Sequence, residues 1–399
     1  MFDIHIKPIT FMKVLQYLVL CLGFLGYSQN KVAGIILDDL DHTPLEFVGI
    51  YNEQDHTMSN RDGRFLFLST SNTITFYRPG YEKLITSFEN VTETIYLSKT
   101  VLELNEVTVS NEKTIWQKVR DSLKNNYPLY PYQEKFLVRG VLRYNGEIIR
   151  IQDMQGKLQR KTLLYTDDIE PSSKDFIVEL TNMRKVGLIR DENEVYFKFD
   201  SFESLFKKLI PLNATGDDFQ LTEYQLIKDR KIKLNFQSLP SVKDENIYGH
   251  YIINTDNNAV EYFHIFIELA NKEFLKSKNS RYRTVFMERE VTLTQNPKNR
   301  KYHIESAKFD AKVEQTDAEN TYTSFYDVSF MLTTSENEGD FQIKKNVSTS
   351  KDLFKIKHPY NATYWNSQNQ LLLTDEMVSF IKKTQDPNQE FRLSSNIID

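Results

Sequence analysis

The sequence predicts a mainly β protein with a few helices: a small β-sandwich followed by a large curved antiparallel sheet, half-open and barrel-like. Three observations predict it. First, 27 Phe and 22 Tyr stand against only 13 Gly, and aromatic side chains suit pleated, half-buried surfaces. Second, residues 30–98 break into short runs separated by turn chemistry, the pattern of a small sandwich. Third, from Phe136 onward the runs lengthen and alternate apolar with polar. Long strands need strong twist or closure. A chain of 399 residues also favours two domains over one.

Composition narrows the function classes. Apolar residues are 40% and charged residues 26%, enough apolar material for real cores and too much for global disorder. With 50 basic and 55 acidic residues the net charge is -5, so no basic footprint for nucleic acid exists.

Val14 to Leu25 is apolar apart from Gln16, and Lys13 precedes it. The run matches a signal-peptide core and falls short of the ~20 residues a membrane span needs. Gly26-Tyr27-Ser28 supplies small residues at the cleavage-defining positions, so residues 1–28 are expected to be a signal peptide cut after Ser28. Translation from Met12 would give a more usual leader than translation from Met1. Export to the periplasm, to the outer membrane or into the medium follows. Cys21 is the single cysteine. Leu20 stands where a lipoprotein signal needs a small residue, so no lipid anchor is expected. With Cys21 removed, disulfides, thiolate metal sites and Cys nucleophiles are all excluded. No second run reaches a membrane-spanning length, and the final Asn396-Ile397-Ile398-Asp399 lacks the terminal aromatic of an outer-membrane barrel.

Residues 29–98 read as the sandwich. Lys31–Leu37 is the first strand, Asp38-Asp39-Leu40-Asp41 turns the chain, and Pro44–Tyr51 is the second strand. Pro44 sits at that strand's start, where a missing N–H is tolerated. Asn60-Arg61-Asp62-Gly63 is a tight turn in which Gly63 supplies a positive φ. Arg64–Leu68 puts Phe65 and Phe67 on one face. Thr73–Tyr77, a turn at Pro79-Gly80, Tyr81–Phe88 and Thr94–Leu97 complete the unit.

Gly34-Ile35-Ile36-Leu37-Asp38, Thr43-Pro44-Leu45-Glu46-Phe47-Val48, Ser59-Asn60 through Gly63-Arg64-Phe65, and Pro79-Gly80-Tyr81 together resemble the carboxypeptidase regulatory-like domain, a prealbumin-like sandwich. In Bacteroidota this domain often opens exported and outer-membrane proteins. Leu104-Asn105-Glu106-Val107-Thr108-Val109, within a linker strand at 99–113, is similar to the segment that commonly follows it. The resemblance implies no peptidase chemistry, since the domain itself carries no catalytic residues. The peptidase zinc site needs His-x-x-Glu and a later His. Here His42 and Glu46, and His264 and Glu268, are four apart.

The second domain spans 114–399. A junction helix is expected over 114–126: Thr114 caps it, and Ile115, Trp116, Val119 and Leu123 recur at helical spacing. Asn126-Tyr127-Pro128 stops it. Asn126-Tyr127-Pro128-Leu129-Tyr130-Pro131-Tyr132 followed by Arg139 resembles Bacteroidota envelope proteins that follow the regulatory-like domain with a helix, an Asn-Tyr-Pro-x-x-Pro-Tyr segment and an aromatic-Arg-Glu strand. Val138 and Gly140 depart from that strand pattern. The resemblance implies a β-rich envelope domain and no activity.

Phe136–Tyr144 alternates, Asn145-Gly146 signals a two-residue hairpin, and Glu147–Gln152 and Lys157–Tyr165 continue the meander. Asp200–Ile210 reads as a short helix ended by Pro211. Tyr248–Asn254 and Val260–Leu269 form a hairpin about Asp256-Asn257-Asn258. Arg281–Thr294 pairs with Lys301–Glu314, and Tyr322–Leu332 follows with Tyr326, Val328, Phe330 and Leu332 on its apolar face. One apolar face means a sheet with one side on a core. With the junction helix in its mouth, the sheet would look like the periplasmic lipoprotein-carrier fold. Near the C-terminus, His358 to Asn366 is rich in turn residues and aromatics, and Thr374 caps a helix over 374–383. Its acidic start and Lys382-Lys383 end match the helix dipole.

The chemistry is sparse. Six His lie beyond the leader (42, 56, 250, 264, 303, 358), with no helical i, i+4 pair. His250 and His264 flank one hairpin and face each other if it pairs in register, as packing partners before metal ligands. Asp38-Asp39-Leu40-Asp41 gathers carboxylates without calcium-loop spacing. There is no Gly-x-Ser-x-Gly elbow and no phosphate loop. No catalytic residue, metal or cofactor is assigned. The ligand-binding candidates are Trp365 and Tyr364, as an aromatic platform or the plug of a core, and Arg139. The expected function is a non-enzymatic cell-envelope protein, a binding or structural module for a protein, glycan or lipid partner. The alternatives are a periplasmic lipid or lipoprotein carrier and a hydrolase sited in the second domain. A continuous apolar cavity marks the carrier, and convergent ionisable residues in one pocket mark the hydrolase.

Overall fold

A computed structural model describes residues 30–100, 113–166, 168–172, 174–189, 199–209, 219–226, 230–241, 245–269, 272–277, 280–317, 322–336, 342–384 and 392–397. The expected signal peptide, with Cys21, lies outside the described residues, as do Leu104–Val109, Ile210 and Pro211. The chain divides into two units, residues 1–99 with Asn369–Leu372, and the remainder.

The first unit is a two-sheet sandwich. One sheet has the order β4-β1-β7, from β1 (Asn30–Asp38), β4 (Arg64–Ser69) and β7 (Thr94–Leu97), with β7 parallel to β1. The other has the order β3-β2-β5-β6, from β2 (Gly49–Tyr51), β3 (His56–Met58), β5 (Thr73–Tyr77) and β6 (Leu84–Ser87). Phe65, Phe67, Ile74 and Phe76 meet in the core between them. The strand expected over Pro44–Tyr51 is regular only from Gly49. Pro44 makes a single bridge to Leu37, and Phe47 has φ 59°. The cause is Ser59, whose hydroxyl donates to the Leu45 carbonyl at 2.6 Å and accepts from the Val48 N–H at 2.9 Å. A side chain here does the work of a ladder partner. Likewise Tyr81–Phe88 is strand only over β6, and Phe88 opens a 3-10 turn. Asn369–Leu372 joins this unit, the Asn369 carbonyl accepting from the Thr57 hydroxyl. The sequence pattern, which assigned that segment to the second domain, does not signal this return.

The second unit opens with α1 (Ile115–Asn126), capped by a reciprocal Thr114–Gln117 box. Its large sheet uses β8 (Tyr132–Tyr144), β9 (Glu147–Arg160), β10 (Phe176–Ile189), β11 (Phe219–Leu226), β12 (Lys231–Ser238), β13 (Asn246–Asn254), β14 (Ala259–Glu268), β15 (Leu275–Ser277), β16 (Ser280–Gln295), β17 (Tyr302–Asp317), β18 (Thr323–Glu336) and β19 (Arg392–Ser395). The helices are α2 (Phe202–Lys208), α3 (Ala362–Ser367) and α4 (Asp375–Thr384). The order is β11-β12-β13-β14-β16-β17-β18-β8-β9-β10-β19, with β15 beside β16. All pairings are antiparallel, and the sheet stays open. Among the described residues no helix is long and apolar enough to cross a membrane.

Asn145 (φ 47°) and Gly146 (φ 91°) form the expected tight turn between β8 and β9. The break expected between Glu147–Gln152 and Lys157–Tyr165 is absent. β9 runs through Gly156, where the backbone closes on its neighbours: a Cβ there would stand 2.2 Å from the Glu179 carbonyl oxygen and 3.0 Å from the Phe136 ring. The glycine marks a close approach, not a turn.

One side of the sheet holds the main core. The α1 indole of Trp116 stacks on Tyr251 with centroids 5.0 Å apart. From α2, Phe202, Leu205 and Phe206 are fully buried, and Phe136 meets the rings of Phe202 and Phe206 edge-on. Phe199 fills the space between Phe330 and Phe354. The same side buries an ion pair that the sequence pattern misses: Arg160 Nε donates to Glu134 Oε1 at 2.6 Å, both side chains being at most 2% exposed, with the guanidinium over Phe206. On the opposite side, β8, β9 and β10 are covered by α4, whose Met377 and Phe380 pack with Val141, Ile151 and Val186.

Candidate functional site

The three candidate residues converge on that covered side. Arg139 on β8 registers opposite Asp153 on β9, and Asp153 registers opposite Arg184 on β10. The alternation that places Val141, Ile151 and Val186 under α4 places these three charges in one row beside them. Arg139 Nε donates to Asp153 Oδ1 at 2.7 Å, and Arg184 Nε donates to Asp153 Oδ2 at 3.0 Å. Arg184 Nη2 donates to the same Oδ2. Arg139 is 3% exposed, Asp153 is wholly buried, and Arg184 keeps 12% of its side chain exposed. Two guanidiniums therefore flank one carboxylate.

Trp365 closes the row. Its ring lies under the Arg184 guanidinium, 4.8 Å from centroid to carbon, and Tyr364 meets it edge-on at 4.9 Å. The short helix α3 presents both, capped by Asn361 Oδ1 accepting from the Tyr364 N–H. Trp365 is 6% exposed, and among the described residues its Nε1 donor has no hydrogen-bond partner. Tyr364 is half-buried.

Electrostatics follow from this packing. Burial alone pushes Asp153 up, but the charges of Arg139 and Arg184 and their hydrogen bonds outweigh it and hold the carboxyl below its ordinary value. Burial, assisted by the Asp153 charge, pushes the Tyr364 phenol up to about 12, against the opposing effect of Arg184. Tyr364 is thus a neutral hydroxyl at any physiological pH. The cluster sets two guanidiniums, one carboxylate and two aromatic rings side by side.

The sequence named Arg139, Tyr364 and Trp365 as candidates, and the structure sets them near one another. Asp153 and Arg184, which join them, were not named. Their place depends on register, and β10 carries a bulge between Leu180 and Asn182 that shifts its alternation by one.

The other motifs resolve separately. His250 and His264 register opposite each other with ring centroids 5.8 Å apart, on the side away from the main core. His264 Nε2 lies 2.8 Å from Glu288 Oε1 and packs on Phe266. Burial, with Lys233 and His264 nearby, pushes His250 down to about 3. In the turn after β1, Asp38 is consumed internally: it pairs with Lys99 at 2.8 Å and accepts from the Leu40 N–H and the Tyr81 hydroxyl. Lys99 above all holds that carboxyl well below its usual range. Among the described residues no group of three or more His, Cys, Asp or Glu is placed to share a metal ion.

No protein-family model and no curated protein matches the chain. Among solved structures it is similar to one titled for lipid–protein interactions in lipovitellin, at 9% sequence identity and a TM-score of 0.24. That likeness covers 62% of this chain and 29% of the other, so the chain spans under a third of that protein's length.

Proposed function

We propose that the protein is a non-enzymatic, exported cell-envelope module that binds its partner at its surface. One observation carries this reading. The core side of the sheet, where a carrier would hold its cargo, is occupied by the protein's own side chains. Trp116 and Tyr127 from the α1 region, Phe202 and Phe206 from α2, and Phe199 and Phe354 fill it. Close packing of aromatic groups leaves little room for a lipid chain. The first unit supports the same reading as a regulatory-like sandwich, a spacer or docking domain without chemistry of its own. In the second unit, the partly exposed Arg184 and the half-buried Tyr364 beside the buried Trp365 are the groups this reading offers to a partner.

The test is native mass spectrometry with lipid extraction on the full chain purified from the periplasm. The expected result is a protein free of stoichiometric lipid. A lipid that stays bound in one-to-one ratio and is lost on mutation of the core side would overturn the reading in favour of a carrier.

A further inference from the structure

The segment between α3 and α4 belongs to the first unit. Asn369–Leu372 groups with residues 1–99, while Gln368 before it and Leu373 after it stay with the second unit. Thr57 on β3 is 1% exposed, and its hydroxyl donates to the Asn369 carbonyl at 3.0 Å. Leu371 is 2% exposed and holds φ 52°. That left-handed conformation is rare for a residue with a side chain and persists only where the surroundings impose it. Two residues on, Leu373 packs against the cluster of Val141, Ile151, Val186, Met377 and Phe380 in the second unit. The run Leu371-Leu372-Leu373 thus serves both units within one short stretch.

We propose that this segment is a strap, and that its seat in the first unit sets how firmly α3 and α4 are held on the second. Both ends of the strap are pinned. Before it, Trp365 of α3 lies under the Arg184 guanidinium at 4.8 Å. After it, Thr374 caps α4, and Glu376 Oε2 accepts from Arg143 Nη2 on β8 at 2.6 Å. The connection between the two helices runs only from Gln368 to Thr374. Freeing its middle returns backbone entropy to each residue in it. The first helix has six residues and one side-chain cap, so it depends on its contacts to stay formed. The second feels the loss through Leu373. The first unit is then a brake on the surface that carries Arg184, Trp365 and Tyr364, and the brake lifts when the strap leaves its seat. This goes beyond the surface-binding reading and does not depend on it.

The test is hydrogen–deuterium exchange by mass spectrometry on the full chain. Leu371→Ala removes the buried side chain of the strap. Exchange in the strap, in α3 and in α4 is expected to speed up together, by about tenfold or more. Meanwhile α1 and the β16–β17 pair keep their wild-type rates. Thr57→Val lies on the other side of the contact, keeps the shape of the residue and removes only the hydroxyl. It speeds the same three segments several-fold and serves as the milder variant. Coupling is reciprocal, so Met377→Ala, which loosens α4 from its cluster, speeds exchange in the strap. Wild-type exchange in α3 and α4 in the first two variants overturns the proposal, whether or not the strap itself is faster. An unmoved strap in Met377→Ala overturns it too, as does acceleration spread evenly over α1 and the large sheet. None of these outcomes bears on a core lipid, so the surface-binding reading stands or falls by its own test.

Discussion

Tyr127 completes the backbone ladder at Val260. Its hydroxyl accepts from the Val260 N–H at 2.7 Å and donates to the Val260 carbonyl at 3.1 Å. Val260 registers with Ile253 on β13 but lies just past the last register pair between β14 and β16, Tyr262 with Thr292, so β16 offers it no partner. The phenol takes that place and ties the residue after α1 to the sheet. Burial, partly offset by the Val260 bond, pushes this hydroxyl far above its usual range. Tyr127→Phe keeps the ring but strands two buried backbone groups, at about 1–3 kcal/mol. Urea denaturation should show the midpoint fall with no change of slope.

Asp153 is the keystone of the charged row, and its removal is expected to cost more than that of either arginine. Asp153→Ala leaves two guanidiniums buried beside each other, a loss on the order of 3–5 kcal/mol. Arg184→Gln leaves a neutral pair and costs less. Because Arg139 and Arg184 depress the folded Asp153 value, its stabilisation is complete above the ordinary carboxylate range and fades as pH falls through the lower folded value. The acid limb of a stability-against-pH curve should therefore flatten in Asp153→Asn.

His250 sets a second acid dependence, of different origin. Its value drops from 6.5 to about 3 on folding, chiefly through burial. The unfolded chain thus binds a proton that the folded chain refuses. Stability is unaffected by this group above its unfolded value and declines as pH drops from there toward the folded value. His250→Gln should remove that part of the slope, read from urea midpoints across the interval.

Gly156→Ala is expected to destabilise by about 1–3 kcal/mol. Its new methyl would lie 2.2 Å from the Glu179 carbonyl oxygen, and backbone cannot yield as a flexible side chain can. Thermal unfolding of the variant against Gly146→Ala, whose φ is positive but whose surroundings are open, separates crowding from backbone strain.

Much of the fold was legible because local signals agree with global ones. Asn145-Gly146 and Asp256-Asn257-Asn258 turn the chain where they were expected to, and Thr114 and Thr374 cap helices. The misreadings have physical causes. The interval between Gln152 and Lys157 reads as a break because the sequence cannot say that another backbone passes beside Gly156. β10 escaped because its apolar residues follow Phe176, Val178, Leu180 and then Met183, so the bulge resets the period. The same bulge hides Arg184. Glu134 and Arg160 were passed over since charged residues on strands are usually solvated, and only tertiary packing under α2 buries them.

The position of β8 beside β18 has a kinetic consequence. Apart from the edge strand β19, the large sheet is two meanders, β8 to β10 and β11 to β18, joined by one seam that runs from Tyr144–Tyr326 to Glu134–Glu336. Within each meander, neighbours in sequence are neighbours in space, and such pairs close quickly. The seam must bring together segments separated by most of the domain, with a closure entropy that local hairpins do not face. Refolding should therefore proceed in two phases, meanders before seam. During synthesis the β8 edge waits unpaired until the residues of β18 have emerged, which makes that interval the period in which a chaperone is most needed.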